Sequence, residues 1–133
     1  MARVLFLEDE EILVEDLPIL LKEKGLEVKS TTSIAQALKW LAQEEFDTVL
    51  LDIMMPPEEG MDAEKLDYGR ETGVEVARRM KAIKPEVPIV AFTVVRDPRI
   101  RAAMRDAGIT TVLNKPQELE QIADALRQVI RAK

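Results

Sequence analysis

Five short runs of strand length alternate with five stretches of helical periodicity along this chain, and that alternation constrains its fold more than any other feature. The runs are Arg3 to Leu7 (RVLFL), Leu26 to Ser30 (LEVKS), Phe46 to Leu51 (FDTVLL), Val87 to Phe92 (VPIVAF) and Thr110 to Leu113 (TTVL). Strands that take turns with helices pair in parallel through right-handed crossovers, which lay helices on both faces of one sheet. RVLFL, TVLL and PIVAF are apolar throughout, as strands covered on both faces must be, whereas LEVKS and TTVL are mixed, as befits edges.

An α/β fold that puts the three apolar strands inside and the two mixed ones outside is a flavodoxin-like, doubly wound five-stranded parallel sheet of order 2-1-3-4-5. The helical stretches fit between the runs. The first spans about Glu10 to Lys24, with Ile12, Leu13, Leu17, Leu20 and Leu21 at core spacing and Gly25 as its stop. Pro18 inside it removes one backbone donor, which predicts a kink or a late start. Ser33-Ile34-Ala35-Gln36 and Thr72-Gly73-Val74-Glu75 read as capping boxes opening the second and third helices. Asp97-Pro98 reads as N-cap and first residue of a fourth, which Gly108 closes, and a fifth runs from about Glu118 to Arg131.

A chain of 133 residues is expected to hold one domain, 1–133, and, since its last helix ends almost at the C-terminus, no output domain is expected behind it. No apolar run is long enough to span a bilayer, so no membrane insertion is expected. The opening MARVLFLEDE turns acidic at once and is not a secretory signal; with no cysteines either, the expected location is cytoplasmic. Histidine is absent too, which excludes the commonest general base and transition-metal ligand. A net charge of −6 argues against direct nucleic-acid binding. What remains is chemistry by carboxylates, lysine, hydroxyls and the hard cations that oxygen ligands prefer.

In this fold ligands bind beyond the carboxyl ends of the strands, at the switch between the first and third. Strand one ends in Glu8-Asp9-Glu10, strand three in Asp52, strand four in Thr93, and Asn114-Lys115-Pro116 follows strand five. Neighbouring strands lie about 5 Å apart, so Asp9 and Asp52 should be close. Carboxylates that close repel unless a cation intervenes, and the all-oxygen donor set points to Mg²⁺ held by Asp9 and Asp52. Lys115 and the Thr93 hydroxyl are then placed to balance phosphate oxygens, and Asp52 is the candidate nucleophile of a phosphoryl transfer.

VLFLEDE, VLLDIMMP, FTVVRD and LNKP together resemble the receiver domain of two-component response regulators, over nearly the whole chain. The resemblance implies a stand-alone signalling receiver rather than an enzyme, with only self-directed phosphorylation and dephosphorylation. Asp52 would accept a phosphoryl group from a sensor histidine kinase or phosphotransfer protein, and Thr93 and Lys115 would bond it. Glu8, Asp9, Asp52 and the Met54 backbone carbonyl would hold Mg²⁺; no organic cofactor is implied. The Lys115–Pro116 peptide would be cis. The signal would leave by contact with an unnamed downstream protein, through the face of the fourth and fifth helices and last strand, where a homodimer could also form.

The sequence departs from that family in three places. Val112 stands where an aromatic residue is usual, three positions before the lysine. Met54 and Val95, two beyond Asp52 and Thr93, are both apolar, which implies slow loss of the phosphoryl group. The connection 54–71 is about a dozen residues longer than usual, and loops of such length are lids, binding elements or disordered excursions. As a lid or partner element it would present Tyr68 and Arg70. Two other readings compete. A haloacid-dehalogenase-like phosphotransferase needs a second Asp two residues after the nucleophile, where this chain has Met54. A degenerate receiver acting without phosphorylation would have no use for Asp9, Asp52, Thr93 and Lys115 together, although Val112 keeps it open.

Overall fold

The computed structural model describes residues 1–132. Its five strands are β1 (Ala2–Leu7), β2 (Leu26–Thr31), β3 (Thr48–Leu51), β4 (Ile89–Thr93) and β5 (Thr111–Asn114), all parallel and in the order 2-1-3-4-5. The helices between them are α1 (Glu11–Lys22), α2 (Ile34–Gln43), α3 (Thr72–Ile83), α4 (Pro98–Asp106) and α5 (Leu119–Ala132). The expected architecture is the observed one, with boundaries moved by at most two residues.

Alternation along the central strands divides the core in two. Leu5, Leu7, Val49, Leu51, Ile89 and Ala91 pack with α2, α3 and α4, while Val4, Phe6, Leu50, Val90 and Phe92 pack with α1 and α5. Full burial of each large side chain contributes about 1.5–3 kcal/mol, so the two layers fix the register of the sheet and with it the strand ends.

Pro18 neither kinks α1 into two helices nor delays its start, for α1 is continuous from Glu11. The carbonyl that Pro18 cannot serve belongs to Val14, and the Ser30 hydroxyl on β2 donates to it at 2.7 Å. Ser30→Ala should therefore cost about 1 kcal/mol in chemical denaturation, the usual worth of a bond whose loss leaves an acceptor half-buried. The Ser33 hydroxyl accepts from Gln36 N at 3.1 Å, as the first capping box requires. The second capping box does not form. Glu71 is the N-cap of α3, Thr72 is already helical with a buried hydroxyl that has no hydrogen-bond partner, and Glu75 pairs instead with Arg78 and Arg79. Thr72 and Gly73 are consumed in docking this helix end against β3, which leaves no room for a side-chain cap. Asp97 caps α4 as expected, accepting from Arg99 N at 2.9 Å.

Candidate functional site

Four strand ends deliver the site. Asp52 directly follows β3, is 3 % exposed, and has its backbone N–H on the Leu7 carbonyl at 3.0 Å, which pins it beside the end of β1. Glu8, one residue past β1, is 1 % exposed. Lys115 arrives from the β5–α5 connection and reaches both acids: its Nζ lies 2.7 Å from Glu8 Oε1 and 3.5 Å from Asp52 Oδ1. The ammonium also sits 5.1 Å from the centre of the Phe92 ring, a cation–π contact that helps hold it inward. The Lys115–Pro116 peptide is cis, as anticipated.

Thr93 ends β4, fully buried. Its hydroxyl accepts from Val95 N at 3.1 Å and its carbonyl accepts from Lys115 N at 2.9 Å. Strands four and five are thus tied together at the rim of the site.

The electrostatics of this corner are those of crowded anions. Burial, reinforced by the charge and hydrogen bonding of Glu8, pushes the Asp52 carboxyl up to about 7, against smaller opposing effects of Lys115 and the Asp9 backbone N–H. The Glu8–Lys115 contact is an ion pair without aligned hydrogen-bond geometry, so Glu8 Oε1 is a buried acceptor without a hydrogen-bond donor. Two buried carboxylates against one ammonium leave room, electrostatically, for more positive charge.

Not every anticipated residue is in that cluster. Glu8, Asp52 and Lys115 come together, and Thr93 closes the adjacent edge. Asp9, expected as the acid nearest Asp52, has an exposed side chain, and its contribution to Asp52 is a backbone N–H. The buried partner of Asp52 is Glu8. Among the described residues no three acidic side chains form a ready-made metal cluster. The donor chemistry nevertheless suits a hard cation: every acidic group in reach is an oxygen ligand, and one of those oxygens is buried without a donor. Met54 follows Asp52 on the loop and is partly exposed. Val95, expected with Met54 to slow loss of the phosphoryl group, is buried in the core against α4, while Val94 before it is exposed.

Three features of the site left little trace in the sequence. Gly73 brings α3 onto the end of β3: its N–H donates to the Ile53 carbonyl at 2.8 Å, and a Cβ there would stand 2.5 Å from the Asp52 carbonyl oxygen. The signal available was a glycine in a helical first turn, which is costly unless backbones must approach closely. Arg96 donates to the Thr93 and Lys115 carbonyls at 3.3 Å each, and Arg101 joins the Val95 carbonyl to the Asn114 side chain. No local pattern marks either arginine.

The connection 54–71 is built into the molecule on both sides of the site. Met55 is buried and its N–H donates to the Gly69 carbonyl at 3.1 Å, closing the loop on itself. Glu58 reaches α2, where its two carboxylate oxygens accept from Ile34 N at 2.6 Å and Ala35 N at 3.0 Å. With Ser33 serving Gln36 N, three free N–H groups of that helix end are satisfied. Arg70 pairs with Asp67 at 2.8 Å and approaches the α4 cap Asp97 at 3.6 Å, so it is engaged within the chain. Tyr68, in a short 3-10 turn (Asp67–Gly69), is 76 % exposed and has φ 51°, a left-handed backbone that tyrosine seldom adopts. Glu58→Ala should lower stability by about 1–2 kcal/mol, a loss of charge-assisted capping that thermal unfolding would register.

The pattern of the response regulator receiver domain matches residues 4–127 of the chain. This chain is a receiver domain of the response regulator family. The response regulator MprA of Mycobacterium leprae (strain TN) is 30 % identical over 129 residues, covering 97 % of this chain and 51 % of that protein. That of Mycolicibacterium vanbaalenii is 30 % identical over 130 residues, covering 98 % of this chain and again 51 % of the relative. The receiver thus spans about half the length of the curated relatives it matches. Among solved structures, the chemotaxis protein CheY4 of Vibrio cholerae superimposes with a TM-score of 0.81 at 24 % identity, covering 97 % of this chain and 98 % of that one. The receiver domain of the sensor histidine kinase PA1611 of Pseudomonas aeruginosa, solved with a magnesium ion coordinated in its active-site cleft, gives 0.77 at 21 % identity, each chain covered to 98 %. At these identities the likeness speaks for the fold. The family is one of two-component signalling domains rather than of catalytic enzymes. No helix among the described residues is long and apolar enough to cross a membrane.

Proposed function

We propose that Asp52 is the phosphoacceptor of a Mg²⁺-dependent signalling receiver. The observation that carries this reading is the buried Asp52–Glu8–Lys115 cluster, whose excess of negative charge and oxygen-only donors suit a hard cation and a phosphoryl group together. The donor is a phosphohistidine of a sensor kinase or phosphotransfer protein. An Asp52 carboxylate oxygen forms the new bond to phosphorus while the phosphorus–nitrogen bond breaks, and the departing imidazole nitrogen keeps the electron pair and takes up a proton. Glu8, Asp9, Asp52 and the Met54 carbonyl are the groups that would hold the ion, which when bound supplies charge neutralisation.

The chain's own residues do the rest. Lys115, held between both acids and the Phe92 ring, is placed to bond a phosphoryl oxygen once the group is on Asp52. The Thr93 hydroxyl, bonded to Val95 N, is the donor able to turn toward another. Exposed Met54 and Val94 offer no base to activate water, which favours a long-lived acyl phosphate. In the phosphorylated state the receiver binds a downstream protein. The exposed Tyr68 of the 54–71 loop is placed for such a contact, whereas Arg70 is engaged within the chain.

Beryllofluoride, a mimic of the acyl phosphate, tests the reading. Binding should require Mg²⁺ and should vanish in Asp52→Asn. Binding without the cation, or undiminished in the variant, would sink it.

A further inference from the structure

With Val112 in place of an aromatic side chain, the route from the site to the α4–β5 face has to run through other groups, and the hydrogen bonds around Thr93 supply one. The Thr93 hydroxyl is committed to Val95 N. The Val95 carbonyl accepts from Arg101 Nε at 3.0 Å, and Nη2 of the same guanidinium donates to Asn114 Oδ1. Asn114 lies in register with Thr93 across the β4–β5 pair and directly precedes Lys115. Val112, opposite Ala91, packs on the α4 side of the core with Val95 and Ile100.

We propose that Arg101 is a positioning residue that links the Thr93 hydroxyl to α4 and β5 in place of the missing aromatic. The inference rests on the reading of Asp52 as acceptor. A Thr93 hydroxyl that turns to a phosphoryl oxygen leaves Val95 N buried without an acceptor, at a cost that drives the loop to rearrange. Val95 cannot shift without disturbing Arg101, because a planar guanidinium holds its two acceptors in one fixed geometry. Either the Arg101–Val95 bond breaks or α4 and Asn114 move with it. Arg96 has the opposite role: it bonds the Thr93 and Lys115 carbonyls, so it staples the strand ends whatever the hydroxyl does.

The test uses Arg101→Ala, Arg101→Lys, Asn114→Ala and the Arg101→Ala/Asn114→Ala double variant, with Mg²⁺ and beryllofluoride. Fluorine NMR reports occupancy of the site, and backbone amide shifts of α4 and β5 report transmission. In the native chain occupancy should move both elements. In each variant beryllofluoride should still bind, the shifts of Val112 to Asn114 and of α4 should be largely lost, and the double variant should lose no more than either single one. Arg101→Lys keeps the charge but not the fork, and should not restore them. Full α4 and β5 shifts in a beryllofluoride-loaded Arg101→Ala or Asn114→Ala chain, restoration by lysine, or failure of Arg101→Ala to bind at all, would overturn the inference. Failure of the native chain to bind would instead remove the reading of Asp52, and this inference with it.

Discussion

Asp52→Asn should stabilise the metal-free protein by up to about 4 kcal/mol at pH 8 and hardly at all at pH 4, since each tenfold change in proton affinity is worth about 1.4 kcal/mol. The reason is that the Asp52 carboxyl is raised from its usual 3.8 to about 7 by burial and by Glu8. Below the lower value the group is neutral in folded and unfolded chains alike. Between the two, the unfolded chain has lost the proton and the folded chain keeps it. The native state then binds more protons, and its stability falls as the pH rises. Above about 7 both are ionised and the penalty is constant. Asparagine has nearly the same shape and no charge to desolvate, so it removes that slope. Urea denaturation of both chains across this range is the measurement; parallel pH profiles would show that Asp52 is not strained by its surroundings. Mg²⁺ should narrow the difference, since a nearby cation favours the ionised carboxylate. The same substitution that improves the fold thus abolishes the proposed function, as expected where a site holds like charges together.

Gly73→Ala should cost about 3 kcal/mol or more, at the upper end of the range for overpacked sites, and lower the unfolding midpoint by about 10 °C. The added Cβ would stand 2.5 Å from both the Asp52 carbonyl oxygen and Ile53 Cα, and 3.0 Å from Ile53 Cδ1. Two of those three neighbours are backbone and cannot rotate away. Relief requires α3 to withdraw or the chain at Asp52 to shift, so beryllofluoride affinity should fall together with stability. Gly60→Ala is the control. Gly60 lies in the 54–71 connection rather than in a helix, at φ +89°, and a Cβ there meets nothing within 4 Å, so its cost should be confined to the backbone strain of about 1 kcal/mol. Equal losses at the two positions would show that α3 does not bear on the end of β3.

Much of this could be read from the linear chain, and the residues show why. Leu5, Val49 and Ile89 alternate with Val4, Leu50 and Val90 because a strand buried on both faces has no polar side, and that local rule sorted central strands from edges. That Asp52, Thr93 and Lys115 lie at one edge was legible because a parallel sheet gathers its carboxyl ends there, so strand endings in sequence become neighbours in space. Local spacing does not decide which of two adjacent acids turns inward. Glu8 and Asp9 are adjacent and chemically alike. Which of them is buried depends on where Lys115 and Phe92 lie, each more than eighty residues away along the chain. The second capping box failed for a similar reason: its residue types are right, but the helix end is pressed against Asp52 and Ile53.

The sequence by itself determined the parallel five-stranded order, the two-sided core and the strand ends that carry the acid, the hydroxyl and the ammonium, because hydrophobic periodicity is a local property that survives without coordinates. Tertiary structure alone decided that Glu8 rather than Asp9 shares the buried charge, that Ser30 serves the carbonyl freed by Pro18, that Glu58 caps α2, and that Arg101 spans Val95 and Asn114. Each of those is a pairing between polar groups brought together by packing, and a hydrogen bond depends on distances and directions that no spacing along the chain encodes.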